Sequence, residues 1–113
     1  MAENLVLETH EHGGVTIVAV KGEVDLFTAP NLKERIADLI SGGQSRLAVD
    51  LERVEFMDST GLGVLIGALK RCKEAGGTLA LVAPPEPVLK VLSITGLDKV
   101  FQIHDNVEQV PAS

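Results

Sequence analysis

Apolar positions along the chain change period several times, and each change marks an element. Leu5 to Thr9 and Val15 to Val20 are short Leu-rich or β-branched runs on either side of Gly13-Gly14, the pattern of a hairpin or meander. Lys21-Gly22-Glu23-Val24-Asp25-Leu26 then reads as a turn carrying two acids. Thr28 offers a helix cap, Pro30 suits a first turn, and Leu32, Ile36, Leu39 and Ile40 fall at i, i+4, i+7 and i+8. This predicts a helix over 28–41, stopped by Gly42-Gly43.

The second half alternates in the same way. Leu47 to Leu51 and Val54 to Met57 are strand-like patches, and from Leu62 onward Leu62, Leu65, Ile66, Leu69 and Cys72 recur at helical spacing. The spacing predicts a helix over 59–74 ended by Gly76-Gly77, then a strand over 78–82. Pro84-Pro85 breaks the chain, Val88, Leu89, Val91 and Leu92 mark a third helix, and Gly96 closes it. Val100 to Ile103 is expected as a last strand and 106–110 as a frayed terminal helix. Strands alternating with such helices imply right-handed crossovers, hence one α/β or α+β domain with a mixed four- to five-stranded sheet covered by helices.

Composition narrows the function. The 113 residues fit one domain, and a 45% hydrophobic fraction argues against disorder. Aromatic residues make up only 3% and the formal charge is −6, so neither base stacking nor a basic face for phosphates is well supplied, which argues against a nucleic-acid partner. The lone cysteine, Cys72, forms no internal disulfide and cannot by itself make a zinc site. His10 and His12 are expected in a solvated turn, without further ligands at metal spacing. The chain opens without a basic-plus-apolar leader, and no apolar stretch approaches the roughly 18 residues of a membrane span, so the expected setting is cytoplasmic, with no membrane contact.

The candidate chemistry lies where strand hands over to helix, in Phe56-Met57-Asp58-Ser59-Thr60-Gly61-Leu62-Gly63. The first N–H groups of a helix lack internal partners, and Asp58 or Ser59 is of the type that caps them. Ser59 has three readings: a structural cap, a nucleophile, or a phosphate acceptor. The nucleophile needs a base, but the Gly-x-Ser-x-Gly elbow is absent and nothing marks the distant His104 as that base. A phosphate on Ser59 would be favoured by the helix dipole and would place new charge beside Asp58. Ser59, Gly63 and Gly67 share a stripe at i, i+4 and i+8. The glycines serve either close packing inside the fold or close approach of another protein, and spacing alone does not separate the two.

Two other patterns are set aside. Asp-Ser-Thr-Gly is similar to the Asp-Thr-Gly of aspartic proteases, but an extra residue intervenes and a helix follows at once. A receiver-type domain would want an acidic pair after an early strand, for which Glu23 and Asp25 are superficially suitable, yet Asp58 at a helix start fits capping better.

The blocks Gly22-Glu23-Val24-Asp25 with Thr28-Ala29-Pro30, Val49-Asp50-Leu51, 56–65 and Ile94-Thr95-Gly96-Leu97 together resemble the STAS domain proteins, and among them the bacterial anti-sigma factor antagonists. The likeness spans about 5–110 of a domain taken as 1–113, without significant departure inside the blocks. It implies a non-enzymatic regulator, without cofactor or metal, that binds an anti-sigma factor which is also a serine kinase and so releases a sigma factor. Phosphorylation of Ser59 would end binding, and a PP2C-type phosphatase would restore it. The resemblance places Glu23, Asp25 and Asp58 beside the phosphorylation site. With Ser59, Thr60, Gly61, Gly63 and Gly67 they form the expected partner-binding set. The competing expectation is a STAS scaffold, or a regulatory module of another signalling assembly or a transporter.

Overall fold

In a computed structural model of the protein, which describes residues 5–111, five strands and three α-helices alternate as the periodicity predicts. The first four and last two residues of the expected domain lie outside the described residues. Strand β1 (Leu5–His12) pairs antiparallel with β2 (Val15–Val24), and β3 (Arg46–Met57), β4 (Thr78–Val82) and β5 (Gln102–His104) follow in parallel, in the order β1-β2-β3-β4-β5. Helices α1 (Ala29–Ser41), α2 (Ser59–Glu74) and α3 (Glu86–Thr95) make the three crossovers.

Because every parallel connection steps the same way across the sheet, right-handed crossovers deliver all three helices to one face. Leu32 and Ile36 of α1, Leu65, Leu69 and Cys72 of α2, and Val88 and Leu92 of α3 share one core with alternate strand residues such as Val18, Val20, Leu47, Val49, Leu79 and Leu81. The intervening positions Val15, Ile17, Ala48, Ala80 and Val82 face the other way, and Val107 and Val110 near the C-terminus pack on them. The expected helical cover is therefore one-sided. Elsewhere this second face is polar and open, with Glu8, Lys21, Asp50, Glu52 and Arg53 around a shallow cleft, as a half-solvated sheet allows.

Several local expectations change in detail. The two patches over 47–57 form one strand, with Glu52 and Arg53 exposed at a bulge where pairing with β2 shifts register and then resumes. His10 and His12 belong to β1, with the turn confined to Gly13-Gly14. A 3-10 turn at Leu97–Lys99 precedes the last strand, which starts later than expected, and the terminal helix is a single 3-10 turn at Val107–Gln109.

Unequal strand lengths set up the site. Only Arg46 to Asp50 of β3 pair with β4, so Leu51 to Met57 run on past it in company with β2 alone. The pairing shifts register between Ala19 and Lys21 and again between Gly22 and Glu23, where Gly22 takes a φ of 113°. Such bulges bend and re-aim a strand end. The two long strands thus carry Val24 and Met57 to the C-terminal edge of the sheet, where open α/β sheets place their sites.

At the opposite edge Gly77, just before β4, lies against the Ser45 backbone, and Thr78 N–H donates to Ser45 O at 3.0 Å. A methyl on Gly77 would collide with the Ser45 carbonyl and side chain. Gly77→Ala is expected to destabilise the domain by about 1–3 kcal/mol, the range for overpacking, as measured by denaturant unfolding. Cys72 is fully buried, and burial pushes its thiol up to about 11, with Arg71 nearby opposing the shift. Because the thiolate is the reactive form, Cys72 is expected to resist a thiol reagent at pH 8 until denaturant unfolds the chain, as mass spectrometry would show.

Candidate functional site

The site is built around the Asp58 carboxylate. Met57 ends β3 and Ser59 begins α2, so Asp58 alone makes the junction. Its own N–H donates to Val24 O at 3.1 Å, fastening the junction to the end of β2. Its extended backbone, φ −95° and ψ −173°, turns the side chain back over the helix, where Oδ1 accepts from Thr60 N–H at 2.9 Å and Gly61 N–H at 3.1 Å. Asp58 O accepts from Leu62 N–H at 3.2 Å. Its side chain thus satisfies two of the N–H groups that a helix start leaves without partners, and its carbonyl accepts the first intrahelical bond.

Capping is therefore done by Asp58 and not by Ser59. Ser59 is the first residue of α2 and is exposed, with no hydrogen bond of its hydroxyl among those of the described residues. It has no base in hydrogen-bond reach, and His104 stands on β5, beyond β4 from the strand that leads to Ser59. Among the described residues no group of three or more His, Cys, Asp or Glu side chains could hold a metal ion.

Beside the junction the turn from β2 to α1 is tied by a second acid. Asp25 Oδ1 accepts from Phe27 N–H at 2.9 Å and Thr28 N–H at 3.0 Å. Buried Thr28 donates its hydroxyl to Glu23 O at 2.7 Å and accepts from Asp25 N–H at 2.9 Å. Thr28 therefore locks the turn without capping α1 through its side chain. Asp25 and Glu23 are both half-buried, and Glu23 stands opposite Phe56 in the ladder. The expected acids thus surround the start of α2, although Asp25 and Asp58 each commit one oxygen to holding backbone.

The four remaining expected residues divide by burial. Gly61 is buried, and a methyl there would lie 2.7 Å from Met57 Cγ and 2.8 Å from Val24 Cγ1. Its lack of a side chain lets α2 begin against the strand ends. Gly63 and Gly67 differ, because a methyl at either would meet nothing within 4 Å. Internal packing therefore does not require them, although each costs the helix about 1 kcal/mol relative to alanine. With half-buried Thr60 they line a cleft of about 420 Å³ between α1 and α2, bordered by Pro30, Lys33 and Arg71.

Periodicity did not reveal that cleft, since it needs α1 and α2 to be neighbours. Leu26 and Phe27 were also overlooked. They lie outside any helical or strand period, at the tip of the tied turn, and are 64% and 85% exposed. The available signal was two large apolar residues placed directly after a turn acid.

Comparison with known proteins yields concordant matches. The STAS domain family model matches residues 6–110. The anti-sigma F factor antagonist of Paenibacillus polymyxa is 36% identical over 104 residues, 91% of this chain and 89% of that protein. The anti-sigma-B factor antagonist of Bacillus subtilis (strain 168) is 35% identical over 100 residues, 88% and 91% of the two chains. The crystal structure of an anti-sigma factor antagonist from Mycobacterium paratuberculosis has a TM-score of 0.85 and 30% identity, covering 94% of this chain and 90% of its own.

The geometry separates residues that hold the junction from residues that only border it. Asp58→Ala should cost about 0.5–2 kcal/mol, the range for losing an N-cap. Gly61→Ala should also destabilise, by about 1–3 kcal/mol of overpacking. Gly63→Ala should leave stability unchanged or raise it by up to about 1 kcal/mol. Thermal and urea unfolding of the three variants would check this ordering, and a destabilised Gly63→Ala would return that glycine to internal packing.

Proposed function

The chain belongs to the STAS domain family, and on that premise we propose that it is an anti-sigma factor antagonist switched by phosphorylation of Ser59. Its unphosphorylated form binds an anti-sigma factor that is also a serine kinase, and so releases the sigma factor. The kinase transfers the γ-phosphoryl group of ATP to Ser59 Oγ, which gives up its proton as ADP leaves. The phosphorylated form no longer binds, and a PP2C-type phosphatase hydrolyses the ester and restores it. On this reading the protein is a regulator without a catalytic centre, acts in the cytoplasm as a single domain, and touches neither nucleic acid nor membrane.

The observation that carries the reading is a free serine hydroxyl at a helix start already capped by its neighbour. Capping would have occupied that hydroxyl. Since Asp58 takes the task, Ser59 can enter a kinase site without loosening α2. A phosphate there carries roughly −1.5 to −2 charge, and the helix dipole favours an anion by about 0.3–1 kcal/mol, so α2 persists with it in place. For a partner the balance reverses. A surface fitted to Glu23, Asp58 and a small hydroxyl would meet a larger group with about two more negative charges, and an unpaired desolvated charge costs several kcal/mol. Each 1.4 kcal/mol is tenfold in affinity, enough to separate binding from release.

The cleft beside Ser59 supports a contact surface that continues along α2. Bare backbone at Gly63 and Gly67 lets a partner approach more closely than any side chain would permit.

Ser59→Ala is expected to bind the kinase constitutively and Ser59→Asp weakly, with equal melting temperatures. The decisive measurement uses protein stoichiometrically phosphorylated on Ser59, identified by mass spectrometry after incubation with kinase and ATP. Its affinity should fall at least tenfold, and undiminished binding would end the proposal. Gly63→Ala, if folded, should bind more weakly than wild type, and unchanged affinity would remove the α2 stripe from the contact.

A further inference from the structure

We infer that Leu26 and Phe27 form an apolar anchor that holds the anti-sigma factor beside Ser59, and that the partner receives them in an apolar pocket with a basic rim. This inference rests on the function proposed above. Phe27 is 85% exposed and Leu26 64%, so the fold draws little packing from either. Scattered apolar residues on a surface are ordinary. These two are adjacent, at the tip of one turn, and that turn is held still.

Five hydrogen bonds fix it: Asp25 N–H to the Thr28 hydroxyl, Phe27 and Thr28 N–H to Asp25 Oδ1, the Thr28 hydroxyl to Glu23 O, and Ala29 N–H to Asp25 O at 2.8 Å. Thr28 and Ala29 are buried at its root. A tip fixed from below loses little backbone entropy on docking, and an aromatic ring with two side-chain torsions is the kind of group that dominates interface energies. The turn starts at Val24, whose carbonyl accepts the Asp58 N–H, one residue before Ser59. The root of the turn therefore lies next to the residue that precedes Ser59, which puts the tip within reach of a protein that handles Ser59.

Charge selects the occupant. Glu23, Asp25 and Asp58 flank the tip, and the chain carries a formal charge of −6. Two copies meeting through this turn would bring the same acids face to face, which opposes a homodimer here. A heterologous pocket with basic residues around it satisfies both the apolar tip and its acidic surroundings. The same anchor then positions Ser59 as kinase substrate, so it governs how tightly substrate is held and leaves the transfer step alone.

The test uses each serine-kinase anti-sigma factor encoded in the same genome, purified, with the full-length antagonist. Phe27→Ala should weaken binding about tenfold or more, since each tenfold corresponds to the loss typical of a strong interface residue. Leu26→Ala should weaken it less, and Phe27→Leu should retain most of it. In phosphorylation assays KM for Phe27→Ala should rise by a similar factor with kcat at saturation unchanged, and the melting temperature should not move. Wild-type affinity and KM in Phe27→Ala would overturn the anchor and leave the Ser59 switch standing. Failure of wild type to bind any of these kinases would overturn the switch and the anchor together. Wild-type self-association abolished by Phe27→Ala, with kinase affinity retained, would assign the tip to a second copy and overturn the inference.

Discussion

The hydrogen bonds of Asp58 determine where everything else at this end of the molecule sits. With no loop between β3 and α2, a single residue must end a ladder, reverse the chain and start a helix. Its N–H remains in register with β2 through Val24, and its carboxylate and carbonyl supply the helix N–H groups of Thr60, Gly61 and Leu62. Gly61 can approach Val24 and Met57 because it has no side chain. The end of β2, the start of α2 and the turn into α1 therefore form one block. Asp25 repeats the device a few residues away, binding two backbone N–H groups through one oxygen.

This arrangement separates residues that hold the scaffold from residues that do not. Asp58, Gly61 and Thr28 face inward or bind backbone, so altering them disturbs the scaffold. Ser59, Gly63 and Phe27 are exposed and support little of the fold. The separation has an energetic rationale. Domains are stable by about 5–15 kcal/mol, so on the function proposed above a phosphate has to act where the folded state does not resist it. The first turn of a helix meets that condition, since its dipole favours an anion there.

Much of the fold was legible because its elements repeat cleanly. The apolar spacing of α2 and the glycines after it place that helix at 59–74 as observed, and the short run before Pro84-Pro85 places β4. The polar pair Glu52 and Arg53 concealed the continuity of β3, because period alone does not say that one face of a sheet is open to water. The one-sided packing of helices was equally hidden, since it follows from strand order, a property of long-range pairing. At the site, Asp58 and Ser59 could be recognised by residue type, but which of them caps was decided by backbone geometry. Spacing left Gly63 and Gly67 undecided until the empty space around them became visible. Asp25 was legible as an acid near the site, yet its bonds within the turn, and the exposure of Leu26 and Phe27 that they sustain, emerge only in three dimensions.

The uneven sheet explains why the candidate site lies at one edge of a small domain. Had β4 been as long as β3, it would have paired the overhang at Leu51 to Met57 and enclosed that side of the junction in the ladder. Ending β4 at Val82 leaves the last residues of β3 supported by β2 alone, and the register shifts at Gly22 turn that pair of strands as it leaves the sheet. Leu51 and Val54 still anchor the overhang in the core beneath the helices, and its ends are fastened separately. The Asp58 bond to Val24 fastens one strand end and the Asp25–Thr28 turn the other, which is why two acids and a buried hydroxyl are concentrated there. The acids at this edge thus serve first to secure backbone, each through one carboxylate oxygen that accepts from two N–H groups.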